Sequence, residues 1–247
     1  MPNYTLIKNT HIVDTEARTA ELGSILMRRG NGGKPGGIEA VWYGTGLPDR
    51  LPEGCEVYDA RGALSMPAFI DMHCHLREPG EEEKETIYTG TAAAVAGGFG
   101  TVVAMPNTKP PIDSVERLRW VIDRARVWGL CEVLPTAAIT VGQQGRELCD
   151  FDALHEAGAV AFTDDGMPVS DAGLMREEMK RCAKGGYLII SHCEELSLSA
   201  GGVMNEGRTA AALGVKGIPN SAEDVAIARD LLLAEETGCR LHIAHVS

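Results

Sequence analysis

The sequence lacks several features that would place it in other classes of protein. It has no apolar run long enough to span a bilayer, and no basic segment followed by a long apolar core opens the chain. We therefore expect neither a membrane span nor a signal peptide. Positive charge is scarce, since 23 lysines and arginines face 35 acidic residues and the formal net charge is -12. That balance argues against nucleic acid or an anionic membrane surface as a partner.

The chain also lacks the Cys-x-x-Cys spacing of a structural zinc site, although it has seven cysteines. Their odd number and scattered spacing predict reduced, mostly buried thiols in a cytoplasmic protein. Cys74 and Cys193 adjoin the histidines His73, His75 and His192. Neighbouring residues on a strand face opposite ways, so we expect both thiols to have a packing role.

The pattern of predicted secondary structure changes near residue 66. Residues 1–66 contain short β patterns, a Gly-rich hairpin loop at 29–37 and no helical pattern, which predicts a small β module. From Pro67 onward, predicted strands alternate with helical patterns that end at glycines. The six predicted strands are 69–76, 101–107, 131–139, 159–165, 187–194 and 240–247.

Repeated right-handed crossovers of this kind build either an open doubly wound sheet or a closed (β/α)8 barrel of the TIM type. No Gly-x-Gly-x-x-Gly fingerprint follows the first predicted strand, as the dinucleotide-binding version of the open sheet would require. The sequence therefore favours a barrel of which about six β/α units are present.

The first predicted strand carries His73 and His75, one residue apart. On a strand these side chains share a face, so their imidazoles can converge on one metal ion. The alternative interpretation is two ordinary histidines followed by a surface charge, Arg77, at a strand terminus. The later strand ends favour the metal site.

Polar residues end four more predicted strands at the edge where a barrel gathers its chemistry. Four of the seven histidines and an adjacent carboxylate pair are thereby brought together, which predicts Zn²⁺ or a similar divalent ion. Four histidines and a carboxylate are more ligands than one tetrahedral ion with an open position can bind. They fit a pair of ions that share an aspartate and supply hydroxide as the nucleophile. The planar fork of Arg77 suits a substrate carboxylate. The later strand-end residues are Asn107, Asp164, Asp165, His192 and His245.

Several longer motifs follow one another along the chain: Ile70-Asp-Met-His-Cys-His-Leu-Arg-Glu-Pro-Gly80, Ala104-Met-Pro-Asn107, Phe162-Thr-Asp-Asp-Gly166, Ser191-His-Cys-Glu194 and His242-Ile-Ala-His-Val-Ser247. Their order resembles the long bacterial dihydroorotases of the amidohydrolase superfamily, over essentially the whole chain from residue 67. The resemblance implies a barrel flanked by a small β-sandwich, so residues 1–66 would be the N-terminal part of the sandwich and 67–247 an incomplete barrel.

This resemblance implies hydrolysis of the cyclic amide of dihydroorotate to carbamoyl aspartate, and the reverse ring closure, in pyrimidine synthesis. It implies one or two zinc ions and a homodimer. His73 and His75 would hold one ion, and His192 and His245 the second. Asp165 would be a direct, bridging ligand, and its choice over Asp164 rests on the resemblance alone. Arg77 and Asn107 would hold the substrate carboxylate.

Two alternatives to the dihydroorotase interpretation stay open. Hydantoinases and allantoinases act on other cyclic amides, and many of them place a carbamylated lysine at the end of strand four. This chain has Asp164-Asp165 there, which favours the dihydroorotase type. A non-catalytic scaffold for aspartate transcarbamoylase is the second alternative, and the retained metal ligands argue against it.

The family barrel has eight strands and a catalytic aspartate at the end of the eighth, which ligates metal and shuttles a proton. Six predicted strands and no matching aspartate are present in this chain. We expect residues 1–247 alone to be inactive, as a truncated chain or as half of a split enzyme.

Overall fold

The computed structural model describes residues 3–30, 36–48 and 50–247. They form two compact units, Met1–Pro67 and Ala68–Ser247. Most of the hairpin loop predicted at 29–37, namely residues 31–35, lies outside the described residues. The strands before and after it pair antiparallel. No described helix is long and apolar enough to cross a membrane.

The first unit is a sheet built around one long strand. Its strands are β1 (Tyr4–Asp14), β2 (Thr19–Arg28), β3 (Gly37–Tyr43), β4 (Glu56–Asp59) and β5 (Leu64–Ser65). Strand β1 pairs antiparallel with β2 and parallel with β4 and β5, and β3 pairs antiparallel with β2. The pairing of β1 with β2 shifts its register between Ile7 and Thr10. The buried apolar side chains of this unit are Leu6, Ile25 and Leu26.

Strands and helices alternate in the second unit, as the sequence predicted. Its strands are β6 (Phe69–Cys74), β7 (Phe99–Ala104), β8 (Glu132–Pro135), β9 (Leu188–Ser191), β10 (Met204–Asn205), β11 (Gly217–Ile218) and β12 (Arg240–Ile243). Its helices are α1 (Ile87–Ala96), α2 (Val115–Trp128), α3 (Phe151–Ala157), α4 (Ala172–Gly185), α5 (Leu196–Ser199), α6 (Arg208–Leu213) and α7 (Ser221–Thr237).

Parallel strands of this unit neighbour one another in chain order. Strands β6, β7 and β8 pair in parallel, Phe162 bridges Ala137 after β8 to Ile189 in β9, and β9 pairs with β12. A doubly wound sheet would reverse its strand order, and this succession does not. Strands β10 and β11 form a separate small pair in the Gly-rich excursion before α7.

Several strands are shorter in the structure than predicted from the sequence. Strand β6 ends at Cys74, so His75 and Arg77 lie beyond it, and Arg77 has a positive φ of 59°. The fourth strand, predicted at 159–165, is reduced to bridges at Phe162, whose amide donates to Leu188 and whose carbonyl accepts from Ile190. Beyond it, the Asp164 side chain binds backbone amides of another segment and the ladder stops.

Helix limits follow local capping. Helix α1 begins at Ile87, because the Thr86 hydroxyl accepts from the Thr89 amide in a capping box. The carboxylates of Asp150 and Asp171 cap α3 and α4 by accepting from the backbone amides three residues later.

The two faces of the parallel strands have different neighbours. Val102 and Ala104 belong to the large core against the helices, whereas Val103 and Met105 belong to a small cluster with Ala161, Ile190 and Ala244. Side chains alternate between the two faces along a strand, so Asn107 shares the face of Met105, Asp165 that of Ala161 and His192 that of Ile190. These strand-end polar residues therefore lie on the side of the sheet that carries the small cluster.

Candidate metal centre

Four histidines surround one buried carboxylate beyond the carboxyl ends of the strands. Asp165 Oδ1 lies 3.3 Å from His73 Nε2, 3.5 Å from His192 Nδ1 and 3.4 Å from His245 Nε2. Asp165 Oδ2 lies 3.5 Å from His75 Nε2. Two groups share the aspartate, His73–His75–Asp165 and Asp165–His192–His245, and within each the donor atoms lie within 4.8 Å of one another.

His75 and His245 reach this cluster from outside regular strands. His245 follows the end of β12 and has a positive φ of 33°, which departs from strand geometry. Strand alternation would place it on the face opposite Ala244, which belongs to the inner cluster. The left-handed backbone at His245 therefore explains a placement that alternation alone does not.

The spacing of these atoms fits a shared ion. A tetrahedral zinc ion with ligand distances of about 2.1 Å separates its nitrogen and oxygen ligands by about 3.4 Å. The four nitrogen–oxygen distances around Asp165 span 3.3 to 3.5 Å. Imidazole nitrogen and carboxylate oxygen are also the donor types that such an ion prefers. The residues present therefore fit one or two divalent ions.

The electrostatics of Asp165 support the same interpretation. Its side chain is only 4% exposed, and no described lysine or arginine forms an ion pair with it. Burial raises the pKa of Asp165, but hydrogen bonds from His192 and His73 and the charges of the histidines outweigh burial and hold that pKa well below its usual range. A buried anion without a permanent cation beside it is costly, and a divalent ion would compensate it.

The histidines differ in how readily they hold a proton. Burial lowers the pKa of His75, which favours the neutral ring that can donate a lone pair to a metal. The hydrogen bond to Asp165 raises the pKa of His192. His192 therefore competes for a proton more strongly than His75 where no ion is bound.

The adjacent carboxylates have different surroundings. Asp164 Oδ1 accepts hydrogen bonds from the amides of Ile139 at 2.8 Å and Thr140 at 3.2 Å, and Oδ2 accepts from the Thr140 hydroxyl. Burial raises the pKa of Asp164 to about 6, against the effect of these hydrogen bonds. Sequence parity could not separate the two residues, but in the structure Asp165 faces the histidines and Asp164 faces the segment after β8.

Two of the histidines have a hydrogen-bond partner at the ring nitrogen that faces away from Asp165. His75 Nδ1 lies 2.9 Å from Asn107 Oδ1, and the amide of Asn107 is 3.4 Å from Asp165 Oδ2. His192 Nε2 lies 3.2 Å from Glu194 Oε2. Such partners fix the ring tautomer and orientation of a ligand histidine. The contact of Glu194 was not foreseen from the sequence, although its position two residues after His192 was a usable signal.

Arg77 lies outside both groups of metal-facing atoms. Its Nη1 is 3.9 Å from Glu81 Oε2, and Glu81 is also paired with Lys84 and Lys109, each at 2.6 Å. Three cations therefore surround the Glu81 carboxylate. A cavity of about 400 Å³ has His192, Glu194 and His245 in its lining.

The neighbouring cysteines and the remaining histidines have other surroundings. Burial raises the pKa of Cys74 to about 12 and that of Cys193 to about 11, so both thiols stay protonated. His11 and His155 contact backbone carbonyls, those of Gly62 and Ala159. Neither of them, nor His242, belongs to the two groups that could hold an ion.

The fold and the cluster define a parallel α/β protein with a candidate metal centre at its strand ends. Residues 62–247 match the family model described as Dihydro-orotase-like. The chain belongs to that family.

Curated relatives agree with this assignment. A dihydroorotase from Pelotomaculum thermopropionicum is 56% identical over 194 residues, which are 78% of this chain and 45% of the relative. A dihydroorotase from Sulfurihydrogenibium sp. is 46% identical over 242 residues, 98% of this chain and 55% of the relative. This chain thus spans about half the length of the curated relatives it matches.

The fold has counterparts among solved structures. The L-hydantoinase of Arthrobacter aurescens aligns with a TM-score of 0.75 at 23% identity, over 98% of this chain and 53% of the hydantoinase. A D-hydantoinase from Thermus sp. aligns with a TM-score of 0.72 at 24% identity, over 98% of this chain and 52% of the neighbour. These likenesses confirm the expected α/β fold.

Proposed function

We propose that this chain carries most of the metal centre of a dihydroorotase, which hydrolyses the cyclic amide of dihydroorotate to carbamoyl aspartate and catalyses the reverse ring closure in pyrimidine synthesis. The observation that carries the proposal is the cluster around Asp165, whose four nitrogen–oxygen distances match those of ligands on a shared ion. Membership of the dihydro-orotase-like family supplies the substrate class.

Each residue has a distinct task in this proposal. His73 and His75 would hold one zinc ion, His192 and His245 would hold a second, and Asp165 would be a ligand shared by both groups. Such ions would supply an activated water at neutral pH and polarise the carbonyl of the substrate. The anionic Asp165 offsets the ionic charge, and Asn107 keeps the lone pair of His75 Nε2 turned toward the centre.

Recognition of the substrate falls to Arg77 and Asn107. We assign the carboxylate of dihydroorotate to the guanidinium of Arg77, whose fork suits bidentate recognition, with the amide of Asn107 beside it. An anionic ring would therefore be preferred over a neutral ring of similar size.

The assignment of the whole protein extends the same proposal. Residues 67–247 would be six units of a (β/α)8 barrel, and residues 1–66 part of a β-sandwich. The protein would act as a cytoplasmic homodimer, and association with aspartate transcarbamoylase is a further expectation. Support for the barrel comes from the chain-order succession of parallel strands.

The test combines metal content with ligand preference. The purified chain is analysed for bound zinc, and its binding of dihydroorotate, hydantoin and allantoin is compared by calorimetry. We expect bound zinc and a preference for dihydroorotate. A folded chain without affinity for divalent ions would contradict the metal centre, and a preference for hydantoin or allantoin would contradict the assigned substrate.

A further inference from the structure

The histidines of the candidate centre do not all face it with the same nitrogen. His73, His75 and His245 present Nε2 to Asp165. His192 instead presents Nδ1, which lies 3.5 Å from Asp165 Oδ1 and 3.0 Å from His245 Nε2. A neutral imidazole can donate a lone pair from Nδ1 only when its proton is on Nε2. The orientation of His192 therefore depends on what its Nε2 contacts.

That contact is the carboxylate of Glu194, whose Oε2 lies 3.2 Å from His192 Nε2. We infer that Glu194 is a positioning residue, which accepts a hydrogen bond from His192 Nε2–H and so keeps Nδ1 turned toward the metal. The two ring nitrogens point in nearly opposite directions, so Glu194 lies behind the ring and is not a ligand of the same ion. This inference rests on the proposed metal centre and adds a residue to it.

Local structure places Glu194 for this task. Strand β9 ends at Ser191, and Glu194 lies two residues after His192 in the loop that follows. Ser199, a buried residue of α5, lowers the pKa of Glu194 and so favours its anionic form. A chain of contacts therefore runs from the centre through His192 and Glu194 to the segment between β9 and α7.

The two halves of the centre are thus supported differently. The partner of His75 is the neutral amide of Asn107, whereas the partner of His192 is a carboxylate. A carboxylate behind the ring raises the basicity of a ligand histidine, and loss of such a partner lowers metal affinity by about 10- to 100-fold. The site held by His192 and His245 should therefore be more sensitive to its supporting residue.

The test is a Co²⁺ titration of the metal-free chain, followed by visible absorption, for wild type, Glu194→Ala, Glu194→Gln and Glu235→Gln. We expect one Co²⁺ site of Glu194→Ala to weaken by about 10- to 100-fold. Glu194→Gln should lose less, because its amide oxygen still accepts from Nε2–H. Glu235 is exposed on α7, so Glu235→Gln should match wild type. Equal Co²⁺ affinity of Glu194→Ala and wild type would overturn the inference.

A second readout separates this inference from the proposed function. Long-range ¹⁵N–¹H spectra of the metal-free chain, recorded above the pH range in which histidines titrate, report the tautomer of His192. Without an ion, Asp165 also accepts from His192 Nδ1. We therefore expect a larger Nε2–H fraction in wild type and in Glu194→Gln than in Glu194→Ala. A wild-type chain that binds no Co²⁺ would refute the metal centre, while an unchanged tautomer in Glu194→Ala would refute the role of Glu194.

Discussion

Replacement of Asp164 by asparagine should stabilise the metal-free chain at neutral pH, although Asp164 adjoins the proposed bridging ligand. The asparagine would keep the hydrogen bonds of the protonated acid, because its Oδ1 can accept from the amides of Ile139 and Thr140. Its amide can donate to the Thr140 hydroxyl, which also accepts from the amide of Gly145 at 2.9 Å. The substitution therefore removes the charge and little else.

The size of the effect follows from the pKa of Asp164. Burial raises it from 3.8 to about 6 in the folded chain. Below about pH 4 both states are protonated, and stability is unaffected by this group. Between about pH 4 and pH 6 the unfolded state has lost this proton while the folded state keeps it, so stability falls across that window. The total loss is about 3 kcal/mol, and stability is level with respect to this group above about pH 6. Asparagine has no such loss.

Denaturant unfolding of wild type and Asp164→Asn, in a chelator and across the pH range, measures this difference directly. We expect the two chains to be similar near pH 4 and the variant to gain about 3 kcal/mol above pH 7. The matched control is Asp123→Asn, because the Asp123 side chain is 72% exposed and should give a flat difference. A constant difference between Asp164→Asn and wild type at every pH would refute the reasoning.

Three further predictions concern buried acid, substrate recognition and ligand support. Glu178 is fully buried with both oxygens unpartnered, and burial raises its pKa well above the usual value, so Glu178→Gln should stabilise the chain increasingly as pH rises. Thermal melts should show this, whereas Glu177→Gln, on the exposed side of α4, should show no trend. Arg77→Ala should weaken dihydroorotate binding by about 100-fold or more while leaving zinc affinity unchanged, as calorimetry can determine; equal losses would contradict the separate roles. Asn107→Ala should weaken both zinc and dihydroorotate binding, and unchanged zinc affinity would show that His75 needs no partner.

Much of the site was predictable because it is encoded by spacing at strand ends. The His73–His75 pair, the aspartates after Phe162 and the histidine after β9 all follow apolar strand patterns, and parallel strands bring such ends to one edge. The chain-order strand succession follows from the alternation of strands and helices. These features depend on local sequence and on a simple rule of connection.

Other features required three-dimensional contacts. The distinction between Asp164 and Asp165 depends on which residues the fourth strand faces, and that strand is held only by bridges at Phe162. His245 reaches the cluster through a left-handed backbone conformation that no periodicity predicts. The Nδ1 orientation of His192 depends on Glu194, a contact between side chains. Register, backbone exceptions and side-chain pairing are not visible in a hydrophobic pattern.

The most direct test of the metal centre is equilibrium Zn²⁺ binding by wild type, Asp165→Asn and Asp164→Asn. The structure predicts that wild type binds zinc and that Asp164→Asn retains this affinity. Asp165→Asn should lose more than about 100-fold, because it removes the anion that both histidine groups share and its effect should exceed that of a supporting residue. Zinc binding by Asp165→Asn at wild-type affinity would contradict the account.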